Sequence, residues 1–113
     1  MSGPSRELQS MKAEFFRAIA HPARIRILEM LSQHDEQSVQ ALQLRLAVDQ
    51  PIVSQQLAKL RAHGVVTSRK QGTTVLYALA DPRIADLLKI AKEILNRRLT
   101  GSKTLLHELR RLG

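Results

Sequence analysis

The chain has 113 residues, with 18 basic against 10 acidic side chains and a net charge of +8. That length suits one domain, residues 1–113, and excludes a multidomain enzyme, while the lack of cysteine excludes disulfides, thiolate metal sites and a cysteine nucleophile. Aromatics are only 3% of the chain, so the core must be aliphatic, and the basic excess points to a polyanionic partner, nucleic acid before anionic membrane.

A first helix is expected over about residues 5–20, with Leu8, Met11, Phe15 and Ile19 three or four apart on one face. The His21-Pro22 step ends it, because a residue before proline avoids helical geometry. Pro22 then suits the first turn of a second helix, with Ile25, Leu28 and Leu31 facing inward. Ser38 caps a short third helix from Val39 to about Leu46. Asp49 or Gln50 opens a fourth, with Pro51 in its first turn and Gly64 as its stop. Residues 65–70 and 74–79 read as two strands around a Gln71-Gly72-Thr73 turn. Asp81-Pro82 starts a long fifth helix to about Leu99, carrying Ile84, Leu87, Leu88, Ala91, Ile94 and Leu95 on one face. Gly101 stops it, and Ser102 caps a last helix containing Leu105, Leu106, Leu109 and Leu112. The expected fold is mainly α with a two-stranded β-hairpin wing, in the order α-α-α-α-β-β-α-α: a winged helix-turn-helix.

Charge is distributed unevenly along this order. Residues up to Gln37 are balanced, five basic against five acidic. Between Asp49 and Asp81 there is no acid, while Lys59, Arg61, Arg69 and Lys70 are present, as on a surface that faces phosphates. On the fourth helix, Val53, Leu57 and Leu60 point one way and Gln55, Ala58, Lys59 and Ala62 the other, with Ser54 and Arg61 at the flanks. Small outward residues let a helix lie close to base edges. Gln55 has the amide to pair with adenine in the major groove, and Ser54, Lys59 and Arg61 suit phosphates. The candidate DNA contacts are Gln50, Ser54, Gln55, Lys59 and Arg61 from this helix. Arg69, Lys70, Thr73 and Thr74 join them from the hairpin, whose basic tip can reach a minor groove. The plainer alternatives are a solvated helix face and an edge strand guarded by charge.

Two runs carry a family resemblance: Phe16-Arg17-Ala18-Ile19-Ala20-His21-Pro22-Ala23-Arg24-Ile25-Arg26-Ile27-Leu28, and Val53-Ser54-Gln55-Gln56-Leu57-Ala58-Lys59-Leu60-Arg61-Ala62-His63-Gly64-Val65-Val66. With the wing-like run from Arg69 to Leu79 and the Asp81-Pro82 step, the chain resembles the ArsR/SmtB-type regulators over about residues 8–100. The resemblance implies a homodimeric bacterial transcription regulator on double-stranded operator DNA, usually a repressor that leaves DNA when an effector binds, and a cytoplasmic location is expected because no apolar run is long enough to span a membrane and the polar start carries no signal-peptide core. The terminal helices independently call for a partner copy, since a domain this small rarely buries so much apolar surface alone. Leu8, Met11, Phe15, Ile84, Leu88, Ala91, Leu95, Leu105 and Leu109 are the candidate interface. Pairing them across a two-fold would set the two reading helices about one DNA turn apart.

Many such regulators sense metals, and the resemblance tells which of their sites this chain lacks. The third-helix site needs a cysteine pair, and there is none. The fifth-helix site would start at Asp81, but the following ligand positions hold Arg83, Ile94 and Arg97. Asp81 is then better taken as a helix cap. His21 and His63 suit structural roles at helix ends. Two clusters remain as metal candidates: His34-Asp35-Glu36, against the alternative of a polar loop, and His107-Glu108, with Glu7 or Glu14 joining across a dimer interface. Imidazole and carboxylate favour nickel, zinc or cobalt as a regulatory ion over copper(I), arsenic or cadmium. No cofactor is required for the fold, and a small-molecule effector or a partner protein are the other ways to regulate it. No catalytic constellation appears, so an enzyme is not expected. A module binding an acidic protein and a membrane-surface helix are the competing classes. The missing tryptophan and the better use of the apolar stripe in dimerisation argue against the membrane.

Overall fold

The computed structural model describes residues 4–99 and 103–112, with side chains over 6–99 and 107–112. Its elements in chain order are α1 (Pro4–Ile19), α2 (Pro22–Leu31), β1 (Gln37–Ser38), α3 (Val39–Leu46), α4 (Gln50–Ala62), β2 (Val66–Gln71), β3 (Thr74–Leu79), α5 (Arg83–Arg98) and α6 (Lys103–Leu112). Gly101 and Ser102, expected to stop and cap helices, lie outside the described residues, as do the side chains of Leu105 and Leu106.

Local chemistry explains most boundaries. His21 sits in extended geometry before α2, and its Nδ1 accepts the Ala23 N–H at 3.1 Å, so this histidine is a helix cap. The Ser38 hydroxyl accepts the Ala41 N–H at the start of α3. At the end of α4, Gly64 adopts φ +71°. The Val65 N–H reaches the Leu60 carbonyl at 2.9 Å and the Gly64 N–H reaches that of Arg61, a Schellman closure sealed by the buried Leu60 and Val65 side chains. This engages Val65 in the helix end, so β2 begins one residue later than expected. Asp49 precedes α4 in extended geometry but caps it with no side-chain hydrogen bond. Asp81 does cap α5: its Oδ1 accepts the Arg83 N–H at 2.9 Å.

Three strands form the sheet among the described residues, where two were expected. The order is β1-β3-β2, antiparallel throughout, with Gln37 opposite Tyr77 and Ser38 opposite Leu76. Two residues carry no alternation to read, so β1 leaves no trace in the sequence. It covers the free edge of β3, and Gln37 is buried with its Nε2 donating to the Met30 carbonyl. The β2–β3 hairpin closes at Gln71 opposite Thr74, around Gly72 at φ +65° and Thr73. That is a two-residue turn rather than the three-residue one expected.

The core lies where α1, α2, α3, α4, the base of the hairpin and the start of α5 meet. Leu28, Leu42, Leu57, Leu60 and Val65 are fully buried in it. Two expectations are corrected. On α2, Ile27 and Met30 are buried with Leu28 and Leu31, whereas Ile25 is exposed. Ile84, assigned above to a dimer interface, is 6% exposed within its own protomer, because the first turn of α5 packs on the core before the helix runs outward. Phe15 and Leu88 also pack partly on their own core. Leu8, Met11, Ala91 and Leu95 are exposed, and Leu109 is half-buried.

Candidate nucleic-acid interface

α3 and α4, joined by Ala47-Val48-Asp49, form the helix-turn-helix. Val53, Leu57 and Leu60 anchor α4 in the core as its periodicity requires. Gln56 joins them at 8% exposed, which the sequence reading missed. A buried amide needs a partner, and Arg24 of α2 supplies it: its Nε donates to Gln56 Oε1 at 2.9 Å. The same guanidinium donates through Nη1 to the Ala18 carbonyl at 3.0 Å. Arg24 thus ties α4 to the end of α1 through α2. The signal was available: Gln56 sits three residues from Val53 and four from Leu60, on the inward face.

The outward face of α4 carries Gln55, Ala58, Lys59, Arg61 and Ala62, all exposed, with Gln50 exposed at its first turn and Ser54 half-buried. His63, which follows the helix, turns its Nδ1 to the Lys59 carbonyl at 2.9 Å, a structural use. Val65 alone separates Gly64 from β2, so the hairpin starts where α4 ends. Arg69, Lys70, Thr73 and Thr74 are exposed and within two register positions of the turn.

Arg69 is not isolated there. Its Nε and Nη2 donate to Glu36 Oε2 and Oε1 at 2.5 and 2.7 Å. The bond from Arg69 holds the Glu36 carboxyl below the ordinary carboxylate range. His34 in the same loop lies 2.9 Å from Arg45 Nη2 through its Nε2. Two of the three members of the candidate His34-Asp35-Glu36 metal cluster are thus engaged by different arginines. Among the described residues no three His, Asp or Glu side chains come close enough to hold an ion. Glu108 pairs with Arg111 along α6, and His107 is exposed beside it. On α5, Asp81 is occupied by the Arg83 backbone and side chain, which hold its pKa down to about 2. No helix among the described residues is long and apolar enough to cross a membrane.

A helix-turn-helix followed by a basic two-stranded wing, in a stretch with no acid between Asp49 and Asp81, defines a winged helix-turn-helix protein. Residues 19–69 match the helix-turn-helix domain family. The HTH-type transcriptional regulator Rv0081 of Mycobacterium tuberculosis is 42% identical over 109 residues, 96% of each chain. The crystal structure of that protein is similar with a TM-score of 0.74 and 44% identity, over 88% of this chain and 97% of the other. The repressor SmtB of the same organism is 42% identical over 85 residues, 75% of this chain and 62% of its own. The homodimeric winged helix-turn-helix DNA-binding domain of Mb0332 from Mycobacterium bovis gives a TM-score of 0.79 at 25% identity, over 91% and 94% of the two chains. The chain belongs to the ArsR/SmtB-type winged helix-turn-helix transcriptional regulators. These are DNA-binding proteins, in keeping with the expected class.

Proposed function

We propose that this chain is a homodimeric repressor that reads operator DNA with α4 and steadies itself on the backbone with α4 and the wing. One observation carries the reading. α4 is clamped by Val53, Gln56, Leu57 and Leu60, while Gln55, Ala58, Lys59 and Ala62 face out of a stretch without acids. Gln55 reads bases, Lys59, Arg61 and Ser54 hold phosphates, and Gln50 meets the backbone at the helix start. Exposed Leu8, Met11, Phe16, Ile90, Ile94 and Leu95 support pairing of α1 and α5 across a two-fold. Repression follows from occupying DNA, with release by an effector. A divalent ion would take its ligands from His107 and Glu108, completed across the dimer by Glu7 or Glu14, or from His34, Asp35 and Glu36 once the arginines on them give way. Titrating the metal-free protein with nickel, zinc or cobalt while reading DNA affinity tests that completion against an organic effector or a partner protein.

Two substitutions separate the roles on α4. Gln55→Ala is expected to lower discrimination between a selected and a shuffled duplex by about 1–3 kcal/mol, with shuffled binding held. Lys59→Ala is expected to weaken both duplexes alike and to lower the salt slope by about one. Identical behaviour of the two variants in fluorescence anisotropy would refute the assignment.

A further inference from the structure

We propose that Glu36 is a positioning residue for the wing: it holds Arg69 by one edge so that the guanidinium presents its other edge to DNA in a fixed orientation and reads sequence. Glu36 lies 33 residues before Arg69, immediately ahead of β1. β1 pairs with β3, and β3 pairs with β2, so Ser38, Leu76 and Arg69 form one row across the sheet. The short strand therefore brings the carboxylate to the wing, and this gives β1 a purpose beyond covering an edge.

The atoms used decide the argument. Arg69 gives Glu36 its Nε–H and one Nη2–H, at 2.5 and 2.7 Å. The guanidinium is planar and carries a second fork, from Nη1 and the remaining Nη2 hydrogen. That fork points away from Glu36, and the Arg69 side chain is 55% exposed. A free wing arginine is a mobile charge that any phosphate satisfies. An arginine held in a bidentate pair has few rotamers left, so its outer fork is aimed before DNA arrives, which is what bidentate base-edge or narrow-groove readout requires. Glu36 also sets a negative charge near the wing, which discourages purely electrostatic binding. The proposal rests on the wing touching DNA, and it changes the role given above to Arg69 from backbone contact to reader.

The test uses the full chain and two duplexes: one selected by the wild-type protein from a randomised library, and a shuffled duplex of the same composition. Glu36→Gln is expected to hold or tighten shuffled binding and to lower the selected-to-shuffled affinity ratio about fivefold or more. Arg69→Lys, which keeps the charge without the fork, is expected to lower the ratio similarly, and the double variant no further than either alone. A ratio unchanged in Glu36→Gln overturns the proposal. So does equal tightening on both duplexes, which would make Glu36 only a competitor of phosphate, and so does a full Glu36→Gln loss recurring on the Arg69→Lys background. Arg69→Ala separates the underlying reading: if it weakens neither duplex, the wing does not touch DNA and both statements fall. If it weakens them while Glu36→Gln keeps the ratio, only the positioning role falls.

Discussion

Removing the Arg24 guanidinium should loosen the reading helix from its scaffold. Arg24→Ala deletes the bonds to Gln56 Oε1 and the Ala18 carbonyl and leaves a nearly buried amide oxygen on α4 without its partner. A hydrogen bond from a charged donor contributes about 1.5 kcal/mol, and partial access of water to the vacated site limits the total to about 2–3 kcal/mol. Unfolding entropy is about 2.1 cal/mol/K per residue, so a chain of this length has about 0.24 kcal/mol/K at its midpoint. The expected fall in Tm is then about 8–12 °C by circular dichroism, at matched protomer concentration because the melt of a dimer depends on it. Arg24→Lys reaches one acceptor and should recover about half of the loss. A double-mutant cycle with Gln56→Ala should give a coupling of about 1–2 kcal/mol. A fall of less than about 2 °C, or additivity within about 0.5 kcal/mol, would refute the reasoning. The same variant should lose more affinity for a selected duplex than for a shuffled one, since α4 no longer holds one pose.

Leu95 is 43% exposed on the outward stripe of α5. Covering that exposed part is worth about 0.6–1.3 kcal/mol per protomer, so Leu95→Glu should weaken dimerisation about tenfold or more in sedimentation, and an unchanged dimer at low protein concentration refutes the interface. Ala47 ends α3 in the left-handed region at φ 56°, which costs a residue with a Cβ about 1–2 kcal/mol. Ala47→Gly relieves that strain and, after glycine's own entropy cost, should stabilise the fold by about 0.5–1 kcal/mol in denaturant melts, so a loss of stability would count against it. Asp81 has a folded pKa of about 2 against 3.8, chiefly through the Arg83 side chain and then its backbone N–H. Its contribution is therefore complete above about pH 3.8 and disappears as pH falls toward 2. An NMR titration should place this carboxyl well below 3.8 and move it up in Arg83→Ala, and a midpoint near 3.8 in the native chain would sink the assignment.

Most features that depend on near neighbours in the chain were legible before folding, though the Asp49 cap and the length of the hairpin turn were not. The His21-Pro22 break, the Ser38 cap, the Gly64 stop and the Gly72 turn each follow from the chemistry of one or two residues, and all stand within a residue of where they were expected. The inward set Val53, Leu57 and Leu60 and the outward set Gln55, Ala58, Lys59 and Ala62 follow from helical periodicity alone. So did the family, because its motifs are short contiguous runs. Pairings between residues far apart in sequence emerge only when the chain packs. Arg24 meets Gln56 across 32 residues and Glu36 meets Arg69 across 33, and no local signal chooses one arginine among so many bases. β1 is too short to announce itself and exists because β3 offers it an edge. Ile84 and Ile25 exchanged their expected places for the same reason: a stripe of apolar residues says that a helix has a buried face, while the angle at which the helix leaves the core decides which members of the stripe their own protomer covers.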